Sequence, residues 1–198
     1  MIARRLLSAF ALLALSLHAQ EPEGPSSKTK PREQGGTLSA TEFATQGMTG
    51  SSVGITLDDQ GKVYVSHTNR RTNAELDIRK NKTWLLESLM LTSAEDRQAL
   101  IKKKLPDTWQ DLAQFKEKII CLEDTDGDGK ADKRTVVHEG FNDLGNGIAG
   151  GVLWFDGALY VTVMPSLYKL TDKDGDGIFE TKEELVRGLG YHIGYGGH

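Results

Sequence analysis

The sequence has little of what several protein classes require. Cys121 is the only cysteine among 198 residues, so the chain forms no internal disulfide and carries no C-x-x-C-H haem attachment site. Lysine and arginine dominate no long stretch and the formal net charge is −4, which argues against nucleic acid as a partner. A content of 38% hydrophobic and 26% charged residues is typical of a globular protein and argues against disorder throughout.

The longest apolar run lies at the N-terminus, where L-L-S-A-F-A-L-L-A-L-S-L (6–17) follows Arg4 and Arg5 and precedes the small residue Ala19. The run is too short for a helix that spans a bilayer. We therefore predict a secretory signal peptide at 1–19 rather than a retained anchor or a buried helix. A periplasmic or secreted protein is expected, and any membrane association would come through segments outside this chain.

The next segment, 20–46, is rich in proline, glycine, serine and charge, which predicts a flexible linker before a domain at 47–198. Alternating apolar residues around turn signals predict β-hairpins at 50–67 and 151–163. Between them, a helical insertion is predicted at 83–117. Its apolar residues recur at helical spacing, Ser93 and Asp96 offer a capping box, and Pro106 marks a stop.

The β-pattern repeats along the chain. Asp124 and Asp172 begin two similar acidic loops 48 residues apart, and Tyr64 and Tyr160 occupy similar hairpins 96 residues apart. A repeat of about 40–50 residues made of short strands is typical of β-propeller blades. We predict a mainly β fold, a partial β-propeller with about two blades and a helical insertion. A closed propeller needs at least about four blades, so we expect this chain to be the N-terminal part of a longer protein.

The acidic loops, D-T-D-G-D-G-K-A-D from 124 and D-K-D-G-D-G-I-F-E from 172, predict structural calcium sites. Hard oxygen ligands packed this closely repel one another unless a cation neutralises them. The second loop satisfies D-x-D-x-D-G-x5-E, whereas the first has Thr135 where the final glutamate would stand. The predicted metal ligands are Asp124, Asp126, Asp128 and Asp132 in the first loop and Asp172, Asp174, Asp176, Glu180 and Glu183 in the second.

Two other interpretations of these loops stay open at this point. D-G-D-G can be a hydrated hairpin tip without an ion. An EF-hand calcium-binding protein would need helices on both sides of 172–183, and the segment that enters the loop is β-branched and contains Pro165 instead.

The ordered combination of motifs resembles a known family. L-E-D-T-D-G-D-G-K-A-D-K-R-T-V-V-H-E-G-F-N (122–142), G-N-G-I-A-G-G-V-L-W-F-D-G-A-L-Y-V-T-V-M-P-S-L-Y-K-L-T-D-K-D-G-D-G (145–177) and the earlier S-H-T-N-R-R-T-N-A-E-L-D-I-R (66–79) are similar to the N-terminal propeller of the membrane-bound dehydrogenases abundant in planctomycetes and verrucomicrobia. These are relatives of the quinoprotein glucose/sorbosone dehydrogenases, and the resemblance covers 50–198.

The resemblance implies a six-bladed propeller whose mouth binds pyrroloquinoline quinone (PQQ) and oxidises a sugar or alcohol. It also implies a possible c-type haem domain in the full-length protein. By position in G-Y-G-G-H, His198 matches the general base of the sugar-oxidising relatives, and a histidine suits that role near neutral pH. His67, Arg70 and Arg71 follow a strand end and are candidate ligands for an anionic quinone carboxylate; as a hydrated loop cluster they need no function. The alternative function is a non-catalytic, calcium-stabilised propeller that binds carbohydrate or protein.

Overall fold

The structure, a computed structural model, describes residues 40–194. The chain divides into the units Met1–Ala40 and Thr41–His198. The predicted signal peptide, residues 20–39 of the predicted linker and the predicted base His198 lie outside the described residues. Within 40–194, no helix has both the length and the apolar character that crossing a bilayer requires.

The described part is mainly β, as predicted, and contains two four-stranded antiparallel sheets. In the first sheet, the strands β1 (Ser52–Leu57), β2 (Val63–His67), β3 (Glu117–Glu123) and β4 (Lys133–Gly140) pair in chain order. The β1–β2 turn is fixed by Asp58, whose Oδ1 accepts hydrogen bonds from the backbone N–H groups of Gln60 and Lys62. The hairpin predicted at 50–67 is therefore confirmed.

The second sheet repeats this order with β5 (Ala149–Phe155), β6 (Ala158–Val163), β7 (Ser166–Thr171) and β8 (Thr181–Arg187). Asp156 and Gly157 form the β5–β6 turn with φ of 48° and 74°, and two left-handed residues in a two-residue loop match the twist of the flanking strands. The hairpin predicted at 151–163 is confirmed.

Short helices precede and interrupt the first sheet: α1 (Gln46–Thr49), α2 (Arg70–Asn73), a 3₁₀ turn (Lys82–Trp84), α3 (Leu85–Leu89), α4 (Ala94–Lys104) and α5 (Trp109–Leu112). All except α1 lie between β2 and β3, so the insertion begins earlier than the predicted residue 83. The Ser93 Oγ accepts from the Asp96 N–H and caps α4, as predicted. The Asp96 carboxylate accepts from the N–H and the hydroxyl of Thr92.

The two sheets pack face to face around one apolar cluster. Tyr64 of the first sheet stacks on Trp154 of the second, with ring centroids 5.5 Å apart and planes 5° from parallel, and meets Phe179 edge-on at 6.0 Å. Cys121 lies in the same cluster, and burial raises the pKa of its thiol to about 11. Its predicted role as a small buried hydrophobe is confirmed.

The other face of the first sheet forms a second cluster of Val63, Val65, Ile120 and Leu122. Phe43, Ala44 and Met48 pack on it from outside the sheet, and the Ala131 N–H donates to the Phe43 carbonyl at 2.7 Å. The packed domain therefore begins before residue 47, where the composition placed the end of the linker.

Candidate functional site

The two acidic loops occupy equivalent places in the two sheets, between β3 and β4 and between β7 and β8. In the first, the two carboxylate oxygens of Asp124 accept from the N–H groups of Gly127 and Gly129, each at 2.8 Å. Asp172 makes the same pair of bonds to Gly175 and Gly177, also at 2.8 Å. One aspartate therefore dictates the path of each loop.

The glycines are required by the backbone. Gly127 and Gly129 have φ of 79° and 86°, and Gly175 and Gly177 have φ of 79° and 88°. Other residues reach this left-handed region at a steric cost, which is why the D-G-D-G pattern recurs.

Three aspartates in each loop bring their carboxylates together. One oxygen from each of Asp124, Asp126 and Asp128 lies within 4.8 Å of the others, and the same holds for Asp172, Asp174 and Asp176. The hydrogen bond from the Gly129 N–H lowers the pKa of Asp124, so this carboxyl group stays ionised well into the acidic range. Three carboxylates at this spacing suit a hard divalent cation.

The remaining predicted ligands have other contacts. Asp132 Oδ1 accepts from the Thr125 N–H at 3.2 Å, and Glu180 Oε1 accepts from the Lys173 N–H at 3.1 Å, so both acids brace their loops. Glu183 lies on β8 opposite Lys169. Their participation in a calcium site stays a prediction.

The EF-hand alternative is wrong. β7 ends at Thr171 and β8 begins at Thr181, so strands flank the loop where an EF-hand has helices. Each loop is the tip of a β-hairpin that can carry an ion.

The predicted cofactor ligands do not share one environment. His67 is half-buried, with its Nδ1 3.1 Å from the Thr49 carbonyl oxygen, and Arg71 is exposed. Arg70 is buried, and its Nη1 donates to the carbonyl oxygens of Phe141, Asn146 and Gly147 at 3.0–3.1 Å. The anion-binding role of these residues stays a prediction, and Arg70 has a structural role that the sequence did not reveal.

Sequence reasoning missed Glu117, which is fully buried at the start of β3. Its Oε1 accepts from the Thr68 hydroxyl and from the N–H groups of Asn69 and Arg70, while its Oε2 accepts from the Ala149 N–H at 2.6 Å. One carboxylate thus joins the end of β2 to the start of β5. Nothing in the charged run K-E-K (116–118) distinguishes this glutamate from a hydrated one.

The helical insertion holds the segment that leads to His198. Arg97 Nη1 donates to the carbonyl oxygens of Tyr191 and His192, the Ser88 Oγ accepts from the Ile193 N–H, and the Ile78 N–H donates to the Gly194 carbonyl. These four bonds, 2.7–3.3 Å long, fix the described end of the segment on α3, on α4 and on Ile78, which precedes the 3₁₀ turn.

Comparison with known proteins gives one match. The model of a family described as Domain of unknown function (DUF7133) matches residues 33–193, most of the chain. No curated protein and no solved structure matches.

Proposed function

We propose, from the premise that this chain belongs to the DUF7133 family, that it forms consecutive blades of a β-propeller in an exported quinoprotein-like dehydrogenase. The observation that carries the proposal is that the two sheets repeat in sequence, in loop geometry and in the direction in which they stack. The reaction class comes from the resemblance of 50–198 to quinoprotein dehydrogenases.

The direction of stacking is visible at two equivalent leucines. Leu122 and Leu170 stand two residues before Asp124 and Asp172 on the matching strands β3 and β7. Leu122 packs outward against the residues before β1, whereas Leu170 packs inward against the first sheet. Equivalent faces of the two sheets therefore point in the same direction. Successive propeller blades have this arrangement, whereas two sheets related by a two-fold axis would pack equivalent faces against each other.

One face of the second sheet is not covered by any described residue outside that sheet. It is equivalent to the face of the first sheet that the second sheet covers. Tyr64 is buried under Trp154, and its counterpart Tyr160 lies on the opposite side of the second sheet, with its ring 6.4 Å from that of Phe155. Leu153 and Phe155 on this face are 57% and 64% exposed. A third four-stranded sheet would bury this apolar surface in the way that the second buries Tyr64.

In the proposed enzyme, His198 would remove the proton from the substrate hydroxyl as hydride leaves the carbon that bears this hydroxyl. Bound PQQ supplies the two-electron acceptor for that hydride. Arg97, Ser88 and Ile78 bind backbone groups of residues 191–194, a few positions before the proposed base. His67 and Arg71 are the candidate contacts for a quinone carboxylate, and calcium in the acidic loops has a structural role.

A second function, a non-catalytic propeller that binds carbohydrate or protein, is favoured by the state of Arg70. Arg70 is buried and its Nη1 is committed to three main-chain carbonyl oxygens, so the side chain is poorly placed to meet an incoming anion.

The test is to express the exported protein with the gene extended beyond His198 and to follow dye reduction by sugars and alcohols. The assay is run with and without PQQ and calcium. We expect quinone-dependent turnover that His198→Ala abolishes and His192→Ala preserves, because the exposed His192 contributes its backbone carbonyl to Arg97. A folded protein that neither binds the quinone nor turns over would support the binding module.

A further inference from the structure

A small cavity lies where the insertion meets the segment 190–194. Glu75 and Arg97 line it from the insertion, Gly145 and Gly147 from the loop before β5, and Gly190 and Gly194 from the segment itself. None of these residues belongs to the predicted metal or cofactor sites.

The cavity contains a buried ion pair that is incompletely hydrogen bonded. The side chains of Glu75 and Arg97 are 3% and 8% exposed, and the contact between Glu75 Oε1 and Arg97 Nη2 is long, at 3.5 Å. Glu75 Oε2 and Arg97 Nε are buried and have no hydrogen-bond partner among the described residues. Buried charged groups in proteins normally satisfy such atoms, because each unpaired one carries its full desolvation cost.

The ionised forms of Glu75 and Arg97 need a further hydrogen-bond partner to offset the cost of their burial. Burial raises the pKa of Glu75 and lowers that of Arg97, so the protein interior opposes both ionised forms. The other guanidinium nitrogen, Nη1, is already committed to the carbonyl oxygens of Tyr191 and His192. A group that donates to the carboxylate and accepts from Nε satisfies both remaining atoms.

The cavity is large enough for one hydroxyl group and little more. The cavity volume is about 10 Å³, close to what one water molecule requires. Its glycine walls leave no room to spare, since a Cβ at Gly190 would lie 3.0 Å from Met164 Cε and one at Gly145 would lie 3.0 Å from Ala94 Cβ.

We propose that this cavity is a binding site for a single hydroxyl group, which donates to Glu75 Oε2 and accepts from Arg97 Nε. The hydroxyl is that of a resident water molecule, since the cavity has no room for the carbon atoms of an alcohol. It ties the insertion to the segment 190–194. The proposal does not depend on the dehydrogenase function, because it rests on the ion pair and the cavity alone.

The test is a high-resolution crystal structure of the full exported protein, grown from aqueous buffer and then soaked in ethanol. We expect one density peak within hydrogen-bond distance of Glu75 Oε2 and Arg97 Nε. The peak should stay spherical after the ethanol soak, because the cavity has no room for a carbon tail; density that gains a carbon tail would contradict a site for a single water molecule. A dry cavity, or a direct bond between Glu75 Oε2 and Arg97 Nε, would overturn the proposal.

Variants give an independent check. The double variant Glu75→Leu with Arg97→Met removes both charges together and keeps comparable volume, a replacement that buried ion pairs often tolerate. We expect it to fold and to lose the peak. The matched control Glu95→Gln changes the exposed pair that Glu95 makes with Arg187 and should keep the peak. Persistence of the peak in the double variant would contradict the assignment of its partners.

Discussion

Glu117 is the residue whose chemistry most directly joins the two sheets. Its side chain is fully buried, and four hydrogen-bond donors surround the carboxylate. Burying a carboxylate is costly unless such donors replace water, and hydrogen bonds to an ionised acceptor are stronger than neutral ones. The geometry at the start of β5 therefore depends on a residue that is 32 positions earlier in the chain.

We predict that Glu117→Gln lowers the free energy of unfolding by about 1.5–3 kcal/mol. The amide keeps the volume, but its NH₂ group would face a donor, either the Ala149 N–H or those around Arg70, and leave it unpaired. Urea denaturation measures the change. The control Glu139→Gln removes an exposed pair with Lys116 and Lys118 and should cost less than about 1 kcal/mol. Equal losses in the two variants would contradict the role given to Glu117.

The burial of a single residue could be predicted from the sequence only where its neighbours in the chain defined its environment. Cys121 stands in I-I-C-L, so its burial followed from the apolar residues on both sides. Arg70 follows a strand end and stands beside a second arginine, and these features predicted a ligand for an anion. Its burial depends on carbonyl groups more than 70 positions later in the chain, and no local pattern contains that information.

At the scale of elements, local chemistry predicted the hairpins and loops well. The turn residues and alternating apolar positions are short-range signals, and the aspartate and glycine positions of both acidic loops fix their backbone directly. The surface of α3 was not predictable in this way. Its apolar residues have helical spacing, yet Leu86 and Leu89 are 75% and 63% exposed, because spacing indicates a helix without indicating what covers it.

We predict that calcium raises the melting temperature of the protein and that Asp174→Asn reduces this rise. Asp174 is a suitable probe because the backbone hydrogen bond that its carboxylate accepts in the loop is a long one, 3.3 Å from the Asp176 nitrogen, so the loop should keep its shape while losing a charged ligand. A ligand that binds only the folded state stabilises it by mass action. Thermal unfolding with calcium or with a chelator measures the effect.

The control for this experiment is Asp107→Asn, which removes an exposed carboxylate outside both loops and should leave the calcium response unchanged. Identical melting temperatures with calcium and with chelator would mean that the loops are ion-free hairpin tips.

At the scale of the whole molecule, the sequence predicted the repeat and the β class, but the stacking depends on contacts between distant strands. The 96-residue spacing of Tyr64 and Tyr160 contains the insertion, and the sequence alone did not show that the insertion lies within one sheet. Because the insertion lies between β2 and β3, each strand of the first sheet has an equivalent strand in the second. This position of the insertion also leaves the face of the second sheet around Tyr160 as the counterpart of a buried face.

We predict that this face makes the chain self-associate after removal of the predicted signal peptide, because exposed apolar sheet faces bind one another. Leu153→Lys places a charge at the centre of the face and should shift sedimentation velocity profiles toward the monomer. Leu86→Lys, an equally drastic change at the exposed surface of α3, is the control and should leave association as it is. An equal effect of both variants would indicate nonspecific association.

The measurement that tests the repeated-blade architecture most directly is a crystal structure of a longer chain, expressed from the gene extended beyond His198. We predict a third four-stranded sheet packed on the second, with an aromatic or apolar side chain over Tyr160 in the place that Trp154 takes over Tyr64. A free face that stays exposed to solvent, or one covered by helices, would contradict the propeller and with it the proposed dehydrogenase mouth.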